Sequence, residues 1–240
     1  MYIDDKGIVL RCVKYDDKSF VAHLFTESRG HVSFMVNSSR SKRAGVGARL
    51  FQPLTFLSLQ WDPKPNASLQ RIKEARLLFV LQSIPLDPIK RSVAMLVTEF
   101  MAYALREEAT NPELYQYIEH SLRWFDTAEE KHANFHLVFL LKMARFLGIA
   151  PNMESYECGS TFDLTRGDFT PPGSADGATL TAYDSHLLFL LNGATYETMG
   201  AISMNRQDRA RMIGHLSAYY NIHIPKFPTL QSLDILQQLL

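Results

Sequence analysis

The run Lys6-Gly7-Ile8-Val9-Leu10-Arg11-Cys12-Val13-Lys14-Tyr15, then Asp16-Asp17-Lys18, then Ser19-Phe20-Val21-Ala22-His23-Leu24-Phe25-Thr26 sets two β-prone segments around a short polar turn. Ile8, Val9, Leu10, Cys12 and Val13 make the first segment apolar and β-branched, which predicts a strand from Lys6 to Tyr15. In the second, Phe20, Ala22 and Leu24 fall on one face and Val21, His23 and Phe25 on the other, which predicts a strand from Ser19 to Thr26. Glu27-Ser28-Arg29-Gly30 reads as a turn ending in Gly, and His31 to Val36 as a short third strand. Leu50 to Trp61 is expected as strand four. Its broken alternation at Leu54, Phe56, Leu59 and Trp61 predicts a bulge, and Pro53 marks an edge or bend. Ser68 to Val80 closes the set. Five short strands over residues 1–80 favour a small antiparallel barrel of the OB type, with an SH3-like barrel fitting the periodicity nearly as well.

Between strands three and four lies Asn37-Ser38-Ser39-Arg40-Ser41-Lys42-Arg43-Ala44-Gly45-Val46-Gly47-Ala48-Arg49, four basic side chains in a Ser/Gly-rich setting. From Ser28 to Trp61 there is no Asp or Glu, while Arg29, Arg40, Lys42, Arg43 and Arg49 lie within that span. Residues 1–80 carry 13 Lys and Arg against 7 Asp and Glu, and residues 81–240 carry 12 against 18, so a chain of zero net charge is divided into a positive and a negative part. Such a division points to a polyanion site on the first part. Each Lys or Arg that neutralises a phosphate adds salt-dependent, sequence-independent affinity, and Arg does so bidentately. Arg11, Lys14, Arg71 and Lys73, on predicted strands, extend the candidate surface. Phe20, Phe25, Phe34, Phe51, Phe56 and Trp61 are large enough to stack on bases, but a barrel this small needs most of them inside.

From Pro85 the apolar period lengthens to about 3.6. Asp87 precedes Pro88 as a helix cap, and Val93, Leu96, Val97, Phe100, Met101, Ala104 and Leu105 form one stripe. Asn111-Pro112-Glu113 opens a second helix with Leu114, Tyr117, Ile118, Leu122 and Phe125 inward. A third is expected from about Ala128 to Leu147, stopped by Gly148 and Pro151 and apolar nearly all round. Residues 149–178 read as an irregular insertion, with a hairpin formed by Thr161–Leu164 and Asp168–Thr170. Helices resume over 181–191, 205–220 and 229–240. The expected architecture is therefore α+β in two domains: a five-stranded OB-fold barrel at 1–80 and an all-α helical domain at 81–240.

Other chemistry is sparse. His132 and His136 have a metal-binding spacing but lack the Glu and third ligand a zinc site wants. Gly45-Val46-Gly47 lacks the rest of a dinucleotide fingerprint, and no Walker loop or Gly-x-Ser-x-Gly occurs. Cys12 and Cys158 are expected as free thiols. The opening Met1-Tyr2-Ile3-Asp4-Asp5-Lys6 is acidic where a secretory signal starts basic, and no apolar run approaches the roughly 18 residues of a bilayer span, so a cytoplasmic protein is expected.

Lys6–Arg11, Leu24–Gly30, Ser39–Arg43 and Gln52–Thr55 resemble the N-terminal domain of the RecO family of bacterial recombination mediators. Phe135–Leu141 with Leu147–Pro151 resembles that family's central helix, and Tyr220–Pro225 through Ser232-Leu233 its last turn and helix. The resemblance runs over nearly the whole chain. It implies an OB-fold and helical domain that bind single- and double-stranded DNA, anneal complementary strands, and act in the RecF pathway. With RecR, such a protein loads RecA onto DNA coated by single-stranded DNA-binding protein, without catalysis, in association with the nucleoid. The candidate DNA-binding set, read from the basic span and the predicted strands, is Arg11, Lys14, Arg29, Arg40, Lys42, Arg43, Arg49, Arg71 and Lys73. The acidic, Phe-ended tail of single-stranded DNA-binding protein would meet the helical domain at Phe139, Lys142, Arg145 and Lys226. Many relatives carry a four-cysteine zinc module after the central helix. Here that segment keeps only Cys158, with no His until His186, so neither metal nor cofactor is expected. An enzyme holding a phosphorylated ligand in the basic loop is the alternative reading.

Overall fold

The computed structural model describes residues 1–37, 47–172 and 178–233, which fall into two compact units: residues 1–86 with 98–123, and 87–97 with 124–240.

The first unit is built on a five-stranded antiparallel sheet of order β3-β2-β1-β4-β5. Its strands are β1 (Ile3–Lys14), β2 (Ser19–Thr26), β3 (Gly30–Asn37), β4 (Phe56–Trp61) and β5 (Ile72–Phe79). β1 is long because it serves two partners. Ile3 to Ile8 pair with β4, and Gly7 to Lys14 pair with β2. The sheet curls until Gln70, just before β5, bridges Phe34 of β3 in parallel; Met35 donates to the Gln70 carbonyl at 2.9 Å, and Gln70 donates to that of Ser33 at 2.8 Å. This strand order and closing contact are those of the OB-fold, which settles the choice against an SH3-like barrel.

Val9, Leu24, Phe34, Leu57, Leu59 and Trp61 fill the interior, each buried. Most of the six aromatics are inside, as expected: Phe51 belongs to the same core and Phe20 packs against it, whereas Phe25 and Phe56 are buried elsewhere. Phe25 and Phe56 face outward and are covered there. Phe25 stacks on Tyr115 at 6.5 Å, and Phe56 on Phe79 at 4.5 Å, with Arg123 over the Phe79 ring.

Strand four starts later than expected, at Phe56. Residues 48–50 form a single 3-10 turn, and Leu54 takes φ +65, a left-handed conformation that no regular strand tolerates. The expected irregularity is present, as register shifts in the β4–β5 pairing at Phe56/Leu57 and Gln60/Trp61.

Helices follow as α1 (Pro88–Ala104), α2 (Pro112–Thr127), α3 (Phe135–Phe146), α4 (Ala182–Gly193) and α5 (Arg206–His223). Asp87 caps α1 through its Oδ1, which accepts from the amides of Ile89 at 2.7 Å and Lys90 at 3.1 Å. The predicted α1 stripe is buried throughout. α3 begins seven residues later than its apolar pattern suggested. Lys131 has φ +58 and interrupts the helix, and Asn134 is held across the unit by bonds from Nδ2 to the carbonyls of Met199 and Ile202, both 3.1 Å. His132 therefore lies before the helix, and its spacing to His136 is not a helical i,i+4 pair. Gly148, at φ +71, ends α3 as expected.

The expected hairpin is present as β6 (Thr161–Asp163) and β7 (Asp168–Thr170). The described residues of the insertion are pinned at several points. His223 Nε2 lies 2.8 Å from the Leu164 carbonyl, the Tyr219 hydroxyl donates to that of Ile149 at 2.8 Å, and Ser185 Oγ accepts from the Phe162 amide at 2.8 Å. The last predicted helix begins at Ser232-Leu233, and its remainder lies outside the described residues. Among the described residues no helix is long and apolar enough to cross a membrane.

His136, in the middle of α3, is fully buried, and neither ring nitrogen has a hydrogen-bond partner among the described residues. Burial first, then the Arg209 charge, push its pKa from 6.5 down to about 3. The folded state therefore binds fewer protons than the unfolded chain below pH 6.5, and stability falls as pH drops from there toward 3. Relative to His136→Leu, the wild type should lose about 2 kcal/mol of unfolding free energy between pH 7 and pH 5. Urea denaturation at both values checks this, and equal losses in the two proteins would contradict it.

Candidate nucleic-acid interface

The basic loop leaves and rejoins the barrel at one end. Asn37 pairs with Ser19, beside the β1–β2 hairpin, and Phe51, just beyond Arg49, accepts a bond from Cys12 Sγ at 3.2 Å through its carbonyl. Lys14 and the exposed Tyr15 stand at the same end, with Lys14 Nζ 2.9 Å from Asp17 Oδ1. Both partners are exposed, so that pair is screened and yields easily to a phosphate. Arg49 is exposed on the 3-10 turn. Arg40, Lys42 and Arg43 lie outside the described residues.

The other candidates are distributed. Arg71 is exposed beside the Gln70 bridge. Lys73 lies on the outer side of β5, its Nζ donating to Gln60 Oε1 at 3.0 Å and lying 4.4 Å from the Tyr2 ring centre. Arg29 is at the opposite end, in the β2–β3 turn. The eight residues of β2 separate that turn from Lys14 by roughly 25 Å.

A register shift between Val9 and Arg11 decides where Arg11 points. Val9 pairs with Leu24 and faces inward. With one residue inserted, Arg11 pairs with His23, whose side chain lies on the outer face. There the Arg11 guanidinium lies 6.0 Å from the centre of the Tyr103 ring, and the His23 and His31 rings stack at 5.5 Å. Among the described residues no carboxylate comes within ion-pair distance of Arg11, Arg29, Arg49, Arg71 or Arg106. The histidines were not found from sequence. Their signal was only that His23 occupies an outward strand position otherwise held by Val21 and Phe25.

In the helical unit, Phe139 is fully buried and offers no surface to a partner. Lys142 is half-buried and Arg145 exposed, and Lys226 sits in the turn after α5 with φ +59. Burial, with Arg145 nearby, lowers the Lys142 pKa below the ordinary lysine value. A second charged group, also not foreseen, joins the starts of α4 and α5. Asp184 is bonded to the cap Thr181, and Asp208 forms a capping box with Asn205; Arg211 donates to Asp184 at 3.1 Å and to Asp208 at 2.8 Å. Burial pushes the Asp184 carboxyl up, but bonds from Arg211 and Thr181 overcome it and hold it below the usual range. This is a structural clasp, since every carboxylate in it already has a donor. Among the described residues no three His, Cys, Asp or Glu side chains gather as a metal site, and Cys12 and Cys158 are free.

The fold defines an OB-fold protein with an attached helical part, and among the described residues several barrel arginines have no carboxylate partner. The family description "Recombination protein O N terminal" matches residues 1–80, and "Recombination protein O C terminal" matches residues 85–233. The DNA repair protein RecO of Bacteroides fragilis is 43% identical over 234 residues, 97% of each chain. That of Phocaeicola vulgatus is 41% identical over 233 residues, again 97% of each, and that of Porphyromonas gingivalis (strain W83) 33% over 245 residues, 100% of this chain and 99% of its own. The chain belongs to the RecO family of DNA repair proteins.

One glycine holds the outer face together. Gly30, at φ +67, is a conformation L side chains avoid, and a Cβ there would land on the carbonyl oxygens of Glu108 and Ala109. The same approach lets His31 donate its amide to Glu108 at 3.0 Å and Thr110 Oγ1 donate to the Ser28 carbonyl at 3.1 Å. Gly30→Ala should cost at least about 2 kcal/mol, read as a lowered urea midpoint, whereas Gly148→Ala, whose Cβ meets nothing within 4 Å, should cost less.

Proposed function

We propose that this protein is a non-catalytic recombination mediator of the RecF pathway, working in the cytoplasm on nucleoid DNA. It binds single- and double-stranded DNA through the barrel, anneals complementary strands, and with RecR helps load RecA onto DNA coated by single-stranded DNA-binding protein. The observation that carries the reading is the set of exposed arginines on an OB barrel without carboxylate partners, in a chain of the RecO family. A guanidinium left unpaired at a surface is free to meet a phosphate at no cost of breaking an existing pair.

The roles proposed for Arg40, Lys42 and Arg43 rest on the sequence, and those of the other residues are supported by where they stand. Lys14 and Arg49, with Arg40, Lys42 and Arg43 of the loop between Asn37 and Gly47, grip the backbone at one barrel end. Arg11, Arg71 and Lys73 extend the track over the barrel wall. Arg29, at the far end, belongs to the same track only if the DNA runs the length of the barrel. Lys142, Arg145 and Lys226 are the proposed cations for the acidic tail of single-stranded DNA-binding protein. Phe139 takes part only by supporting the α3 surface from beneath.

Single-stranded oligonucleotide binding should weaken with salt. If each of the eight cations of the loop end and barrel wall meets a phosphate, the slope in log affinity against log salt is roughly −6, and changing Arg40, Lys42 and Arg43 together to Ala should reduce it by about 2. The triple variant should also fail to anneal protein-coated complementary strands, while Arg29→Ala anneals as the wild type does if the loop end is the grip. Fluorescence anisotropy and an annealing assay read these outcomes. Absence of oligonucleotide binding by the wild type at low salt overturns the function, and a fully active triple variant removes the loop from it.

A further inference from the structure

On the outer face of the barrel, four side chains able to carry positive charge share one neighbourhood. Arg11 comes from β1, His23 from β2 and His31 from β3; Arg106 follows α1, is exposed, and stands two residues before Glu108, whose carbonyl accepts the His31 amide at 3.0 Å. Arg11 and His23 sit directly opposite each other across the strand pair, His23 sits opposite Ser33, and the His23 and His31 rings stack at 5.5 Å. Both arginine charges are felt at both imidazoles. The groups around them are the phenol of Tyr103 under Arg11 and the backbone carbonyl of Glu108, which accepts the His31 amide. Among the described residues the carboxylates of Glu107 and Glu108 bond to none of these four.

Such an arrangement is costly unless an anion neutralises it. Like charges brought together repel, and folded surfaces normally intersperse acids among them. A metal ion is the wrong ligand, because two guanidiniums repel it and only two imidazoles are on offer. The donors suit an oxyanion. The two guanidiniums supply forked N–H pairs, and Ser33 Oγ lies 2.9 Å from His23 Nδ1. When that hydroxyl donates, His23 keeps its proton on Nε2 and becomes a donor itself. Neither ring nitrogen of His31 has a hydrogen-bond partner among the described residues.

We infer that Arg11, His23, His31 and Arg106 form a phosphate-binding subsite on the barrel's outer wall, which takes a backbone phosphate of nucleic acid. This rests on the reading of the chain as a DNA-binding protein, and it adds a location and a proton linkage to that reading. In the free protein burial first, then the neighbouring positive charges, hold His31 down at about 4 and His23 below 6.5. A phosphate cancels the arginine repulsion and favours both imidazolium forms, so the complex binds more protons than the free protein in the interval between their free and bound values. Affinity then rises as pH falls from 7.5 toward 5.5. The phosphodiester does not titrate there, so the change reports the histidines.

The test measures anisotropy of a fluorescein-labelled oligothymidylate at fixed ionic strength and pH 7.5, 6.5 and 5.5. The proteins are the wild type, Arg11→Gln/Arg106→Gln and His23→Gln/His31→Gln. Wild-type affinity is expected to rise roughly three- to tenfold over that interval. The arginine pair should lower the salt slope by about 1, and the histidine pair should flatten the pH response. If loss of the Arg11 contact with Tyr103 impairs folding, seen as a depressed thermal midpoint, Arg106→Gln alone carries the comparison, since its side chain is exposed. Wild-type salt slope and pH response in both variants would overturn the subsite and leave DNA binding standing. If the wild type binds no DNA at all, the function falls and the subsite is judged by inorganic phosphate. A shift of the His23 and His31 ring protons in NMR then supports a free-phosphate site, and no shift sinks it.

Discussion

Everything on the barrel follows from one strand having to serve two partners. β1 pairs with β4 through its first half and with β2 through its second. Near the handover the Val9 backbone is still bonded across to Leu54 and Thr55, at 2.8 and 2.9 Å. A strand held on both sides at one residue cannot curl smoothly from one partner to the other. The register shift between Val9 and Arg11 relieves this by adding a residue on the β1 side only. Relief has a chemical consequence, because a one-residue offset exchanges the faces of everything beyond it. Without it Arg11 would share the face of Val9 and Leu24, where an unpaired guanidinium is very costly. With it, Arg11 reaches an outer wall already carrying His23.

The same wall depends on what covers it. Phe25 is buried outward against Tyr115, and Gly30 lets the 108–109 backbone close onto the β2–β3 turn. The turn is further tied by Ser28, whose amide and hydroxyl both bond Asp5, at 3.1 and 2.7 Å. Apolar cover thus ends next to a cationic cluster, and the cluster is partly desolvated by it. Partial desolvation strengthens each interaction with an anion, since the effective dielectric drops, and it also suppresses imidazole charging while the anion is absent. Both effects come from the same packing.

Much of this was legible in the sequence, for local reasons. β2 needed only alternation and a polar turn before it. The Asp87-Pro88 and Asn111-Pro112 helix starts needed only their caps, and Gly148 only the need for positive φ. The features that escaped are those where distant residues overrule a local pattern. The apolar character of residues 135–141 continued α3 backwards on paper, but Asn134 is claimed by the carbonyls of Met199 and Ile202, some sixty-five residues away. Arg29 and Lys14 looked equivalent by charge, and only strand direction shows them to be at opposite ends. The grouping of His23 and His31 with Arg11 needed the strand register and the bulge, neither of which is written in composition. Phe139 looked like a partner contact on an apolar helix and is core.

The charge pattern spreads the basic side chains over the barrel and does not gather them all in a single pocket. In the helical unit Asp184 and Asp208 are already committed: they close the starts of α4 and α5 and share Arg211. On the barrel, Arg11, Arg49 and Arg71 have no such commitments and stand on different elements around the curl. Exposed single contacts with phosphate are each weak and screened beyond about 10 Å. Affinity assembled from several of them is large in sum and tolerant of sequence, and it dissolves stepwise as contacts are lost. The strand annealing proposed for this protein would need that property, whereas a deep pocket with one dominant anchor would oppose it.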